Sequence, residues 1–317
     1  MSSSILLTGA TGFVGSFLMN ELIQSGVGQI TGICRSLPKN AHEHLLAVGS
    51  IENADFSAAL QGKNVVIHAA ARAHIMQDEV ADPLTEYRKV NVEGTLSLAR
   101  QALAAGVKRF IYISSVKVNG ESTSAAVPFN ENAKPKPEDA YGVSKYEAEE
   151  ALKALCAGTD MEFVIIRPPL VYGAGVKANF QSLARLSFKK IPLPFGCVNN
   201  KRSMVYVGNL ASFIIKCIDA PEAANQTFLI SDGKDVSLKQ LISHIRTANN
   251  QPAWLLPVPV FLFKLAGKLT GKSAVVDRLV GDLQVDSSKA QNLLSWQPPY
   301  SIEQGVALTV QELLKGN

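Results

Sequence analysis

Apolar residues in the first half of the chain come in short continuous runs, separated by stretches of helical period. That is the pattern of strands buried on both faces and joined by amphipathic helices. Ile5–Leu7 reads as a first strand, and a glycine-punctuated turn leads from it into a helix from Phe13 to about Ser25. Gln29–Cys34 is a second strand, Val65–His68 is a further clear one after an irregular stretch, and Glu86–Ala105 is a long helix closed by Gly106. Phe110–Ser114, a helix over Tyr141–Cys156 and the strand Phe163–Arg167 continue the alternation. Such alternation predicts an α/β chain with a doubly wound parallel sheet and helices on both faces.

After Tyr172 the texture changes. Gly173, Gly175, Pro192, Pro194 and Gly196 cluster, a helix–strand return follows at Asn209–Ile218 and Thr227–Ile230, and the remainder is helical and loop-rich. We expect residues 1–172, rejoined by 202–235, to form the sheet domain. Residues 173–317 should form mainly a smaller C-terminal substrate-binding domain. It would close over the carboxyl ends of the strands, where ligands sit in open α/β sheets.

Composition narrows the class. A chain of 317 residues that is 47% hydrophobic can bury a large core, and 18% charged residues argue against disorder. The net charge of +4 comes with no long basic run, so no nucleic-acid partner is expected; the mild excess suits a phosphate-bearing small molecule. Cys34, Cys156, Cys197 and Cys217 show neither metal spacing nor a C-x-x-C, the usage of reduced thiols in a cytoplasmic protein, and no metal is expected. Met-Ser-Ser-Ser passes directly into an apolar strand without a basic n-region, which predicts no secretion. Trp254–Gly267 is apolar but holds Pro257, Pro259 and Lys264, and a membrane span needs about 20 residues. It is expected in the core or as a cover over the substrate, with no membrane insertion.

Two patterns carry chemistry. The first strand runs into Thr8-Gly9-Ala10-Thr11-Gly12-Phe13-Val14-Gly15. Glycines between a strand and a helix serve a tight turn, close backbone approach to a pyrophosphate, and helix-on-strand packing, while the first-turn amides face phosphate. The second pattern is Tyr141 and Lys145, four apart and so on one helix face. A tyrosine, with a pKa of about 10, becomes a usable acid or base at neutral pH only when a nearby positive charge favours its phenolate. Ser115 stands at a strand's carboxyl end, 26 residues before Tyr141.

The segment Thr8 to Gly15 resembles the opening of extended short-chain dehydrogenases/reductases. His68-Ala69-Ala70-Ala71, Asn91 in Asn-Val-Glu-Gly-Thr, Ser114-Ser115, Tyr141-Gly142-Val143-Ser144-Lys145 and Arg167-Pro168-Pro169-Leu170-Val171-Tyr172-Gly173 follow in that family's order. The second half resembles the nucleotide-sugar branch of the NAD-dependent epimerase/dehydratase family. The similarity is carried by Pro192-Leu193-Pro194-Phe195, by Arg202 to Leu210, and by Arg278 with Gly281-Asp282, Asp286, Lys289 and Trp296-Gln297-Pro298.

The resemblance implies a Rossmann-type sheet and a catalytic Ser115, Tyr141 and Lys145. Cofactor contacts would fall on Gly9, Thr11, Gly12, Phe13, Val14, Gly15, Arg35, Ser50, Ile51, Ala69, Ala70, Ala71, Asn91, Ser114, Pro168, Tyr141 and Lys145. Substrate contacts would fall on Arg72, Ser115, Asn179, Pro194, Arg202 and Arg278, with the last two arginines on a diphosphate. Tyr141 would move the proton on the reacting oxygen, Ser115 would orient that oxygen, and Lys145 would lower the tyrosine pKa. Where many members carry Val-Tyr-Gly this chain has Val118-Asn119-Gly120, a change expected to alter a wall near the sugar.

The second strand ends Gly32-Ile33-Cys34-Arg35, with Arg35 where an acid would favour NAD. An arginine there accommodates a 2′-phosphate and favours NADP(H) over NAD(H). The segments around Ser115 and Pro194 are most similar to bacterial enzymes that reduce a UDP-4-keto-6-deoxy-N-acetylhexosamine at C4 for O-antigen precursors, and that reduction is the expected reaction. The alternative is a UDP-glucose or UDP-N-acetylglucosamine 4-epimerase, and a weaker one is a carbonyl reductase of a non-nucleotide substrate. A catalytically idle nucleotide sensor would not keep the complete triad, and a dehydratase would want an acid pair where Val116-Lys117 stand. By resemblance a homodimer is expected, through the helices over Glu86–Ala105 and Tyr141–Cys156.

Overall fold

The computed structural model describes residues 3–72, 82–123, 127–176 and 178–315. Strand β1 (Ser3–Thr8) leads through the glycine turn into α1 (Phe13–Ser25), then β2 (Gly28–Cys34), a short β3 (Leu45–Ala47), α2 (Ser57–Leu60) and β4 (Val65–His68). Next come α3 (Pro83–Arg88), a single π-helical stretch at Lys89–Glu93, α4 (Gly94–Ala104), β5 (Arg109–Ile113), α5 (Ala140–Cys156) and β6 (Glu162–Arg167). The second half adds β7 (Leu170–Tyr172), α6 (Ala178–Ser187), β8 (Met204–Tyr206), α7 (Val207–Asp219), β9 (Gln226–Leu229) and α8 (Leu238–Ala248). Helices α9 (Val260–Leu269), α10 (Ser273–Val280), α11 (Ser288–Leu294) and α12 (Ile302–Lys315) finish the described chain.

Among the described residues the main sheet has seven strands in the order β3-β2-β1-β4-β5-β6-β9, and every pair is parallel. This is the doubly wound Rossmann-type order extended by one strand. Side chains alternate between two cores, because successive strand residues point to opposite faces. Ile5, Leu7, Ile67 and Ile111 pack against α1 and α7, whereas Leu6, Val66, Phe110 and Tyr112 pack against α4 and α5. Of the expected return, β9 joins the sheet beside β6 and α7 packs on one face of it. The guanidinium of Arg109 secures it by donating to the carbonyls of Cys217, Ile218 and Ala220 at the end of α7, while Glu162 holds its other side.

Two elements depart from the sequence reading. Leu45–Ala47 is a strand, too short and polar-flanked to show a period, and created by its pairing with Gly32–Cys34. The helix expected over Glu86–Ala105 begins at Pro83 with an Asp82 cap and is broken by the π stretch. That stretch carries Asn91, and the extra residue in the turn is a common device for aiming one side chain.

A third correction concerns Trp254–Gly267. Only part of it is core: Phe263 stacks on Phe195 at 5.5 Å, and Val260 packs into the same cluster. Trp254, Leu256, Phe261, Leu262 and Leu265 are exposed, because helix α9 rests on α10 by one face only.

Candidate active site

The glycine turn closes by contacts that side chains would forbid. A Cβ on Gly9 would stand 2.7 Å from the Ala70 amide nitrogen, and one on Gly15 would stand 2.0 Å from the Gly9 carbonyl oxygen. Helix α1 has Gly12 as its N-cap, no side chain capping it and no acid in its first turn. Thr11 and Gly12 are exposed, and Phe13, Val14 and Ala70 are half-buried around them. First-turn amides have no intrahelical partner, so this end fits the pyrophosphate of a dinucleotide. Arg35 and Ser50 are exposed at the neighbouring strand end, and Ile51 is half-buried against Gly94.

The reacting groups meet at the carboxyl ends of β5 and β6. Ser115 precedes a tight turn at Val116–Val118 and its hydroxyl accepts from the Lys117 amide at 3.2 Å. The Pro168 carbonyl accepts from the Val116 amide at 3.0 Å, which ties this turn to the end of β6. Helix α5 presents Tyr141 in its first turn, with Asp139 as N-cap accepting from the Gly142 amide at 2.7 Å. Gly142 lets the helix approach the turn, since a Cβ there would lie 2.8 Å from the Lys117 carbonyl. Ser115 and Tyr141 are joined by a side-chain hydrogen bond, and Tyr87 packs edge-on against the Tyr141 ring at 5.9 Å. Arg72 lies over Tyr87 in turn, 5.4 Å from its ring centre.

Lys145, one turn along α5, is buried. Its ammonium donates to the Ile113 carbonyl at 2.7 Å and sits 4.3 Å from the centre of the Tyr112 ring. Burial pushes its pKa down to about 7, with Glu149 opposing the fall. Tyr141 is shifted the other way, above its ordinary value, by burial first and then by Asp139, while the Ser115 hydrogen bond pulls it down. In this structure the lysine is engaged with the strand carbonyl, and the phenol is held protonated.

Beneath these residues lies a polar layer that sequence reasoning passed over. Glu149 is fully buried, takes Arg167 at 2.5 Å and 2.9 Å, and also accepts from the Ser114 hydroxyl. Arg167 then donates to Asn119 at 3.2 Å. Ser114 therefore offers its hydroxyl inward, to Glu149. Asn119 is buried and also donates to the Asn130 carbonyl at 3.3 Å, which makes it part of this interior layer. The signal was present: Glu149 continues the Tyr141, Lys145 spacing by one more turn, and Arg167 ends an otherwise apolar strand.

Asn91 is buried too and acts on backbone. It accepts from the Arg72 amide at 2.8 Å, donates to the Arg72 carbonyl at 3.3 Å, and donates to Ser144 at 3.0 Å. It thereby clamps the segment after β4, with Ala69, Ala70 and Ala71, to the helix that carries Tyr141. His68 is a neutral core residue between Thr8 and Thr95, pushed down to about 3 by burial and then by Lys145.

The two arginines expected on a diphosphate also come together. Arg202 donates to the carbonyls of Arg278 and Gly281 at 2.9 Å and 3.2 Å, and Arg278 pairs with Glu121 at 2.9 Å. Glu121 holds Lys117 as well, and Lys117 also meets Asp139, so an ion chain links Arg278 to the cap of α5. Glu121 was not expected here; its place four residues after Lys117 was the available cue. Pro194 is half-buried on the same side, in the segment that pairs with Leu255. Asn179 lies on α6, and its side chain is outside the described residues.

A glycine-cradled helix end beside a Ser–Tyr–Lys constellation, at the carboxyl edge of a doubly wound sheet, defines an NAD(P)-dependent oxidoreductase of the short-chain dehydrogenase/reductase class. Residues 5–231 match the pattern of the NAD dependent epimerase/dehydratase family, and the chain belongs to that family. A UDP-glucose 4-epimerase from Vibrio cholerae is 50% identical, over 100% of this chain and 97% of the relative. A UDP-glucuronic acid 4-epimerase from Bacillus cereus, solved with NAD, superposes with a TM-score of 0.79 at 23% identity, covering 99% of this chain and 98% of that one. A UDP-glucose 4-epimerase from Thermotoga maritima, solved with UDP-glucose, gives 0.76 at 22% identity with 99% of both chains covered. At such identities the two solved structures speak to the fold.

Proposed function

We propose that this chain interconverts a UDP-sugar with its C4 epimer, with UDP-glucose or UDP-N-acetylglucosamine as the first substrates to test. The full-length 50% identity to a UDP-glucose 4-epimerase carries this reading, which takes the place of the reduction expected from the sequence. A bound nicotinamide dinucleotide supplies the acceptor and donor of the hydride at C4. Tyr141 takes the proton from the C4 hydroxyl as the carbon is oxidised and gives it back to the ketone oxygen on reduction. Ser115 holds that oxygen from the other side, and Lys145 holds the cofactor ribose and the positive field that lets Tyr141 ionise.

Epimerisation requires the ketone to show its second face to the same hydride donor. The anchor must therefore grip the diphosphate and leave the sugar free to turn. We assign that anchor to Arg202 and Arg278, and a diphosphate would compete with Glu121 for Arg278. Residues 173–317, apart from the return at 202–235, would then serve mainly the substrate. The same reading takes the active protein as a homodimer in the cytoplasm.

A C4 reductase is the second reading, and the exposed Arg35 favours it as a partner for a 2′-phosphate. Interconversion of UDP-glucose and UDP-galactose, followed with no cofactor added beyond what co-purifies, tests the first reading. If neither hexose nor N-acetylhexosamine pair interconverts while a UDP-4-keto sugar takes deuterium from C4-labelled NADPH, the epimerase assignment fails. In that case Arg35→Ala should weaken NADP(H) by about 10- to 150-fold more than NAD(H), the worth of one charge-assisted hydrogen bond.

A further inference from the structure

Helix α9 is amphipathic, but its larger apolar face is turned outward. On a helical wheel Val260, Phe263 and Gly267 share the face against α10 and the Phe195 cluster. Phe261, Leu262, Leu265 and Leu269 share the opposite arc, and Phe261 is 65% and Leu269 79% exposed. Just before the helix, Leu255 pairs inward with Leu193, which turns Trp254 and Leu256 outward, the tryptophan 53% exposed. Isolated exposed leucines are ordinary on a protein surface; six large apolar side chains on one ridge are not.

Charge on α9 and the segment before it has one sign, and the first acid beyond them is Asp277 on α10. Lys264 and Lys268 border the apolar arc and Lys272 follows the helix, all exposed, while no Asp or Glu occurs from Val236 to Val276. Lys189 and Lys190 stand nearby, because the buried Arg246 donates to the carbonyls of Lys189, Ile191 and Trp254 and so pins those segments together. Among the described residues none of these five lysines is in an ion pair. A two-fold contact between copies through this ridge would set lysines against lysines, with no acid on α9 or on the segment before it to meet them. An anionic lipid surface offers what the ridge lacks: negative headgroups for the lysines and an acyl boundary for the aromatic and leucine side chains.

We propose that α9 and the Trp254–Leu256 segment form a docking surface for an anionic lipid bilayer, lying in its interface and not crossing it. No helix among the described residues is long and apolar enough to cross a membrane. This inference is independent of the reaction proposed above.

The test uses the full chain with vesicles of phosphatidylglycerol or of phosphatidylcholine, read by co-sedimentation and by tryptophan emission. Of the two tryptophans Trp296 is buried, so a blue shift on vesicle addition reports Trp254 and should vanish in Trp254→Phe. Binding to phosphatidylglycerol should be strong and weakened by salt, and binding to phosphatidylcholine slight. Lys264→Glu with Lys268→Glu should lower partitioning by at least about 25-fold, at about fivefold for each lysine lost. Phe261→Ser with Leu265→Ser and Leu269→Ser should abolish it, with circular dichroism and melting temperature close to those of the parent. Absence of binding to phosphatidylglycerol vesicles, or variants that bind like the parent, would overturn the proposal. So would a serine variant of lower solution mass than the parent, which would assign the ridge to contact between copies.

Discussion

Lys145→Met should make this protein more stable at slightly acid pH while removing turnover. The fold holds the lysine pKa at about 7, against 10.5 for an exposed lysine, because burial disfavours the ammonium. The folded state thus binds this proton more weakly than the unfolded state. The penalty is fully developed below about pH 7, shrinks as pH rises, and is gone above the unfolded value of about 10.5. At about pH 6 it amounts to about 4–5 kcal/mol, and at about pH 9 to about 2 kcal/mol. Methionine removes the penalty but leaves the Ile113 carbonyl without its 2.7 Å donor, which costs about 1–3 kcal/mol at every pH. The variant should therefore gain about 1–4 kcal/mol at about pH 6, and the gain should fall by about 2–3 kcal/mol on going to about pH 9. Urea unfolding of both proteins at about pH 6, 7.5 and 9 measures this difference without any substrate. Stability curves that stay parallel across that range would refute the argument that the buried ammonium is held at a cost.

Three further expectations follow from the same geometry. Tyr141→Phe should lower turnover by about 10²- to 10⁴-fold while dinucleotide affinity, followed by fluorescence titration, stays near that of the parent; retained turnover would remove the tyrosine from its proton-transfer role. Arg278→Ala should weaken UDP binding, measured by calorimetry, by about 10- to 150-fold, and an unchanged affinity would return the arginine to a purely structural partnership with Glu121. Arg167→Leu should cost about 3–5 kcal/mol in denaturant unfolding, because it strands the fully buried Glu149, and it should cost much more than Arg88→Leu at the exposed pair with Glu147.

What the sequence by itself determined was the frame and the reacting atoms. Continuous apolar runs such as Ile5–Leu7 and Val65–His68, bounded by turn residues, read as strands buried on both faces, and their alternation with helices predicts parallel pairing. The spacing of Gly9, Gly12 and Gly15, and of Tyr141 and Lys145, encodes local geometry within one turn or one helix, so it is legible without a partner. The short strand Leu45–Ala47 and the π stretch around Asn91 were not legible, since one is made by pairing and the other by the need to aim a side chain at Arg72 and Ser144.

Tertiary structure alone decided where charge is held and which apolar face is left over. The Ser114–Glu149–Arg167–Asn119 layer joins residues up to 48 positions apart, the Asn91–Ser144 clamp joins residues 53 apart, and no local period records such meetings. How far the Lys145 ammonium is disfavoured depends on desolvation, a property of the finished core. The outward ridge of α9 belongs to the same class. Its sequence is as apolar as a core helix, and only the packing of Val260, Phe263 and Gly267 against the rest of the fold decided that Phe261, Leu265 and Leu269 would face away from it.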